Sequence, residues 1–181
     1  DPYPASSKRD HSIGEVLASF TALQASKEPV TIAGRIMSLR EHGGIVFADL
    51  LDGTGKLQTL LKGDVLGDDV YGRFMKTVDI GDFVDASGIC FTTKRGESTL
   101  EVKEWRMLAK SLLPLPEKWH GLQDMEERYR KRYLDILMDD SIRELFVKKS
   151  RFWKSIREFL TAKGFLEVET PILELSPGGA D

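Results

Sequence analysis

Cysteine is nearly absent: one stands among 181 residues, which excludes an internal disulfide. Cys90 lies in the apolar run 83–91 and reads as a small buried hydrophobe in a reduced, cytoplasmic setting. Histidine is scarce too, and His11, His42 and His120 share no metal-ligand spacing. With no Gly-rich phosphate loop either, a His-ligated metal centre and a P-loop nucleotide site are both set aside. The segment DLLDGTG (49–55) has the look of a calcium loop, but its twelfth position is Leu60 instead of a bidentate acid. No apolar run is long enough to span a membrane, and no secretory signal is visible at the start, so no membrane partner is expected. A net charge of −3 argues against nonspecific coating of nucleic acid. It leaves room for a local basic face: Lys94 with Arg95, the run 128–132 and the run 148–151 concentrate positive charge, and each reads equally as a solvated surface.

What is present is ordinary globular material, 41% hydrophobic and 30% charged. The length suits one domain with part of another. Residues 30–61 are the most informative stretch. Val30, Ile32 and Ile36 recur at even spacing as a half-buried strand requires. Turns follow at 41–44 and 52–55, bounding a second and a third strand. Alternation puts Val46, Ala48 and Leu50 on one face, with Phe47 and Asp49 on the other; Leu57 and Leu61 lie opposite in sense to Gln58. A hairpin closing at Leu51 and Lys56 sets Asp49 across from Gln58, so Phe47 and Gln58 share a face within diagonal reach. If that face is outward, a flat ring beside an amide suits a nucleobase, by stacking and by hydrogen bonds to its edge. The other open reading covers Phe47 with a loop or helix.

Along the rest of the chain, Ser12 and Glu15 have capping-box spacing before an amphipathic helix expected over 13–22. A second helix is expected over 64–77, crossing between strands three and four, and the fourth and fifth strands over 83–92 and 99–108 with a turn at 93–97. Three strands, a helix and two strands is the order of a five-stranded OB-type barrel, in which the outer face of strands two and three, with the loops joining strands one to two and four to five, binds oligonucleotides. Phe47, Gln58, Arg40 and the 93–97 turn fall in those places. Pro114 and Pro116 mark a linker. Beyond it, helices are expected over 124–137 and 142–162 and an extended strand over 165–173, with Pro171 at an edge, end or bend.

The segment KGFLEVETPIL (163–173), preceded by a long helix, resembles motif 1 of the class II aminoacyl-tRNA synthetases. With an amino-terminal OB barrel the resemblance narrows to the lysyl, aspartyl and asparaginyl branch. DPYP (1–4), AGR (33–35), TKRGE (93–97), PLPEKWHGLQDMEERYRKRYLDIL (114–137) and PGGA (177–180) are most similar to its lysine members. The resemblance implies a mainly β fold with α: a five-stranded OB-fold barrel with flanking helices, then the start of a class II α+β catalytic domain with the motif 1 helix and strand. The divisions expected are 1–27 (extension and helix), 28–110 (anticodon-binding barrel), 111–123 (linker) and 124–181 (start of the catalytic domain).

Carried over residue by residue, the family's anticodon readers are Phe47 for stacking and Gln58 for a base edge, with Arg40 and Glu97 as further anticodon contacts. The family usually has a leucine directly after that glutamate, where this chain has Ser98, which leaves the shape of the turn open. Pro171 falls in the motif 1 homodimer interface and Gly179 in a loop near the lysine substrate. The family uses ATP and Mg2+ to form lysyl-adenylate and then charges the tRNA. Its FRxE motif 2 and Gly-rich motif 3 do not occur here, so no catalytic residue and no metal ligand is expected in this chain, which is expected to be inactive alone and to bind no cofactor itself. The expected partners are the anticodon stem-loop of a lysine tRNA and a second copy of the protein, in the cytoplasm. A free-standing OB-fold binder of RNA or single-stranded DNA, or a dimerisation module, is the alternative.

Overall fold

The computed structural model describes residues 3–116 and 124–170, and the chain divides into two compact units, Asp1–Leu115 and Pro116–Asp181. In the first unit five strands, β1 (Val30–His42), β2 (Ile45–Leu51), β3 (Lys56–Lys62), β4 (Phe83–Thr92) and β5 (Ser98–Ala109), carry the alternating apolar pattern read above. They close into a barrel in the order β1-β2-β3-β5-β4. β4 returns against β1, and β3 runs parallel to β5, while the other neighbours are antiparallel. Closure leaves no free sheet edge to template aggregation. Gly88 permits the closest approach: a Cβ there would lie 2.1 Å from the Glu101 carbonyl oxygen, so any side chain would force β4 and β5 apart.

The helices complete the core. α1 (Ile13–Ala18) and α2 (Phe20–Ser26) bury Ile13, Val16 and Phe20, and the helix α4 (Asp68–Thr77) buries Phe74, all in one cluster with Val30, Ile32, Ile36, Leu50, Leu61 and Leu100 of the strands. The capping box forms, Ser12 Oγ accepting from Glu15 N–H and Glu15 accepting from Ser12 N–H. The single helix expected over 13–22 is instead two. The Ser19 hydroxyl and N–H both donate to the Glu15 carbonyl, the kind of side-chain back-bonding that competes with helix continuation. Likewise the helix expected over 64–77 is split into α3 (Gly63–Leu66) and α4 by Gly67 at φ 82°, a conformation that favours glycine.

In the second unit α5 (Met125–Arg130) starts at Asp124, whose carboxylate accepts from the N–H groups of Glu126 and Glu127. The helix expected over 124–137 breaks at Lys131 and resumes as α6 (Arg132–Met138). Asp135, 4% exposed, is held by Arg128 at 2.9 Å and Arg132 at 2.8 Å. α7 (Asp140–Ala162) is capped by Asp139 and has no buried residue along its 23. The strand expected over 165–173 is not formed in its described part: residues 165–170 join no ladder, and an extended segment needs a paired neighbour to become a strand. Pro171, Gly179, the PGGA segment and the KWHGL stretch at 118–122 lie outside the described residues.

Candidate nucleic-acid interface

Opposed residues of neighbouring strands share a face of the sheet, so the registers name the outer rows. One row runs Arg40, Phe47, Leu60, Glu101 across β1, β2, β3 and β5. The next runs Ser38, Asp49, Gln58, Thr99, Phe91 across β1, β2, β3, β5 and β4. Asp49 stands opposite Gln58 and Leu51 opposite Lys56, the hairpin register that the two turns dictate. Arg40 reaches this face for a reason that alternation does not contain. Val30, Ile32 and Ile36 point inward, and continuing their even spacing would turn Arg40 inward as well. A bulge between Ile36 and Ser38 inserts one residue, which switches the faces: Leu39 packs on the core and Arg40 stands beside Phe47.

Arg40, Phe47, Gln58 and Glu97 all line one groove of about 600 Å³, together with Glu41, His42, Leu60, Phe91, Thr93, Lys94 and Arg95. Phe47 is half-buried in its wall and not sealed off. The Gln58 amide is held at both ends: Nε2 donates to Glu97 Oε2 at 2.9 Å, and Oε1 accepts from Thr99 Oγ1 at 2.8 Å. Arg40 donates to Asp49 at 3.1 Å, and Lys56 lies 3.9 Å from the other Asp49 oxygen. Asp49 thus tethers the guanidinium on this face, although Arg40 itself stays 56% exposed in its side chain.

The turn that carries Glu97 is closed from Thr93. Thr93 N–H donates to the Glu97 carbonyl at 3.0 Å, Glu97 N–H donates to Thr93 Oγ1 at 3.1 Å, and Gly96 takes φ 86°. Ser98 in place of the usual leucine leaves this closure intact. Lys94 and Arg95 are exposed on the turn and form no ion pair among the described residues, so two cations border the groove beside the carboxylates of Glu41 and Glu97. At the β5 end of the first row, Glu101 accepts from Lys103 at 2.6 Å and Lys62 at 2.7 Å, and these bonds hold its carboxyl below the ordinary range. At the opposite turn, burial alone would raise the Asp52 carboxyl. Donation from the Thr54 hydroxyl and from the N–H groups of Ile13, Thr54 and Gly55 outweighs it and holds the carboxyl down. The calcium-like segment therefore spends its acid on turn closure and on anchoring α1.

Two further residues of the face were not singled out by sequence reasoning: Phe91 and Thr99. Phe91 had a local signal, since buried Cys90 beside it fixes the alternation. Burial also pushes the Cys90 thiol up, as expected of an inert core cysteine. Thr99 had none, because its place follows from the parallel pairing of β3 with β5. Among the described residues no group of three or more His, Cys, Asp or Glu side chains could hold a metal ion, and no helix is long and apolar enough to cross a membrane.

Comparison with known proteins adds two family matches and a set of relatives. Residues 30–108 match a family described as OB-fold nucleic acid binding domain, and residues 124–181 match the class II tRNA synthetases (D, K and N). The lysine–tRNA ligase of Carboxydothermus hydrogenoformans is 47% identical over 180 residues, covering 99% of this chain and 36% of the relative. That of Roseiflexus castenholzii is 46% identical over 181 residues, covering 99% and 37%. Lysine–tRNA ligase 2 of Methanosarcina mazei is 44% identical over 182 residues, covering 100% and 36%. The chain spans a little over a third of the length of these curated relatives.

Proposed function

The chain is a homologue of the lysine–tRNA ligases over its whole length, carrying their OB-fold nucleic-acid-binding domain and part of a class II synthetase domain, and from that premise we propose that its barrel groove reads the anticodon of a lysine tRNA. The observation that carries this reading is convergence. A half-exposed ring, a fixed amide, a carboxylate and a guanidinium from β1, β2, β3 and the β4–β5 turn line one groove, and these are the groups that recognise unpaired bases. Phe47 supplies the face on which a base stacks, worth about 1–3 kcal/mol. Gln58 offers a donor and an acceptor to a base edge, and Glu97 an acceptor for a base amino or imino group. Arg40, steadied by Asp49, stacks on a base or pairs with phosphate, while Lys94 and Arg95 supply the phosphate attraction that a net charge of −3 lacks overall.

For the whole protein the same homology supports attachment of lysine to tRNA through lysyl-adenylate, using ATP and Mg2+, in the cytoplasm and as a homodimer. Motif 1 contributes to that dimer, a reading in keeping with the apolar side chains Phe152, Trp153, Phe159 and Leu160 that stand out from α7; by resemblance alone Pro171 is assigned to the same interface and Gly179 to the lysine side. No ATP or Mg2+ step is assigned to the described residues; we take the 181 residues alone to bind RNA without ligating it. A barrel that merely binds any single strand is disfavoured, because homology to the ligases continues through 124–181. The test is binding of the chain to a lysine-tRNA anticodon stem-loop and to the same stem with changed anticodon bases, at fixed near-physiological salt. Tighter binding of the first by tenfold or more is expected; equal binding overturns the reading.

A further inference from the structure

The anticodon reading leaves open what sets the polarity of the Gln58 amide, and hydrogen-bond counting at β5 answers it. An amide carries two N–H donors and an oxygen with two lone pairs, whereas a carboxylate only accepts. The end of Gln58 that faces Glu97 at 2.9 Å is therefore the NH2, and the oxygen faces Thr99 Oγ1 at 2.8 Å. The Thr99 hydroxyl has one proton and two acceptors within reach, Gln58 Oε1 and the Glu97 carbonyl at 3.2 Å; the shorter contact takes it. Thr99 is fully buried. Its backbone is paired with Gln58 on one side and Phe91 on the other, and a β-branched side chain is stiff at its first torsion.

We propose that Thr99 is a positioning residue for base recognition, its buried hydroxyl locking the Gln58 amide so that one N–H and one oxygen lone pair of fixed polarity remain for a base edge. The ligand class is a nucleobase that presents an acceptor beside a donor. Turning the amide over exchanges its donor and acceptor, converting both contacts with such a base into repulsions. Glu97 alone fixes only the nitrogen end, which leaves the oxygen free to swing out of plane. This inference rests on the anticodon reading and refines it.

The experiment compares wild type, Thr99→Val and Thr99→Ser in the full chain, measuring Kd for the lysine-tRNA anticodon stem-loop and for a loop with one anticodon base changed. Valine keeps the shape and is favoured in strands; serine restores the hydroxyl. Thr99→Val is expected to lower the ratio of the two Kd values by roughly three- to tenfold, the range of one net hydrogen bond. The loss falls on the cognate loop, affinity for the changed loop is unaltered, and Thr99→Ser regains the wild-type ratio. In a Gln58→Ala background Thr99→Val should change the ratio no further, an outcome that a purely structural role for the hydroxyl would not produce. Should the valine variant not fold, Thr99→Cys, with its weak donor, carries the same test. An unchanged ratio in Thr99→Val, or an equal drop in the Gln58→Ala background, overturns the proposal. A wild type without discrimination overturns the anticodon reading itself, and the proposal with it.

Discussion

Ile32 on β1 and Phe152 on α7 occupy apolar positions of strongly patterned elements, yet Ile32 is 0% exposed and Phe152 is 61% exposed. The barrel meets its own needs: strands, α1, α2 and α4 bury one another's apolar faces in a single cluster, and the polar outer rows remain free to form a groove. α7 has an equally clear apolar side and no buried residue. An amphipathic pattern specifies which side of an element is to be covered without specifying what covers it. For the barrel the cover is local in sequence. For α7 it is not found among the described residues.

The largest consequence concerns stability. Ile32→Ala should cost about 2–5 kcal/mol by opening a cavity in a closed core, whereas Phe152→Ala in the same chain should stay within about 0.5 kcal/mol, as for surface positions. Urea unfolding of both variants checks this, and comparable costs would show α7 to be covered after all.

Acid should sharpen the same contrast. The buried Asp82 carboxyl would be raised by its burial, but it accepts from the N–H groups of Asp79 and Ser111 and from Lys110 at 2.7 Å, and these bonds hold it low. Asp52 and Glu101 are held low as well. Because their unfolded values lie near 4, the unfolded chain takes up protons first as pH falls. The stability these groups contribute is full above about pH 4–5 and is lost below it, as pH falls through their folded values. Barrel unfolding should therefore steepen below about pH 4, and Asp82→Asn should flatten that dependence; an unaltered acid profile in the variant would contradict it.

The smallest effect expected is electrostatic. Lys94→Ala should weaken RNA binding about equally for matched and changed loops and lower the salt slope by no more than about 0.7, one phosphate's worth on a single strand. A change in base discrimination would instead place Lys94 among the base readers.

Much of the barrel was legible before any coordinates. Two glycine-bearing turns bracketing Ile45 and Leu51 fix the Asp49–Gln58 register, and that register alone brings Phe47 and Gln58 to one face. Arg40 was legible from its place in the expected barrel and from family resemblance but not from alternation, since the bulge between Ile36 and Ser38 reverses the facing that alternation gives. Thr99 was not legible, because parallel pairing of β3 with β5 joins segments about forty residues apart and leaves no local trace. The helix breaks at Ser19 and Gly67 were likewise hidden: serine and glycine are each tolerated within a helix, so neither the Ser19 back-bond to Glu15 nor the positive φ of Gly67 can be read from residue type alone.

The most direct measurement is the effect of Phe47→Ala on binding to the lysine-tRNA anticodon stem-loop and to its base-changed counterpart at one salt concentration, with unfolding of the variant followed in parallel. A base reader predicts a loss of about 1–3 kcal/mol on the cognate loop and a collapse of the difference between loops, with the barrel still folded. Undiminished discrimination by folded Phe47→Ala would contradict the assignment of this groove to the anticodon.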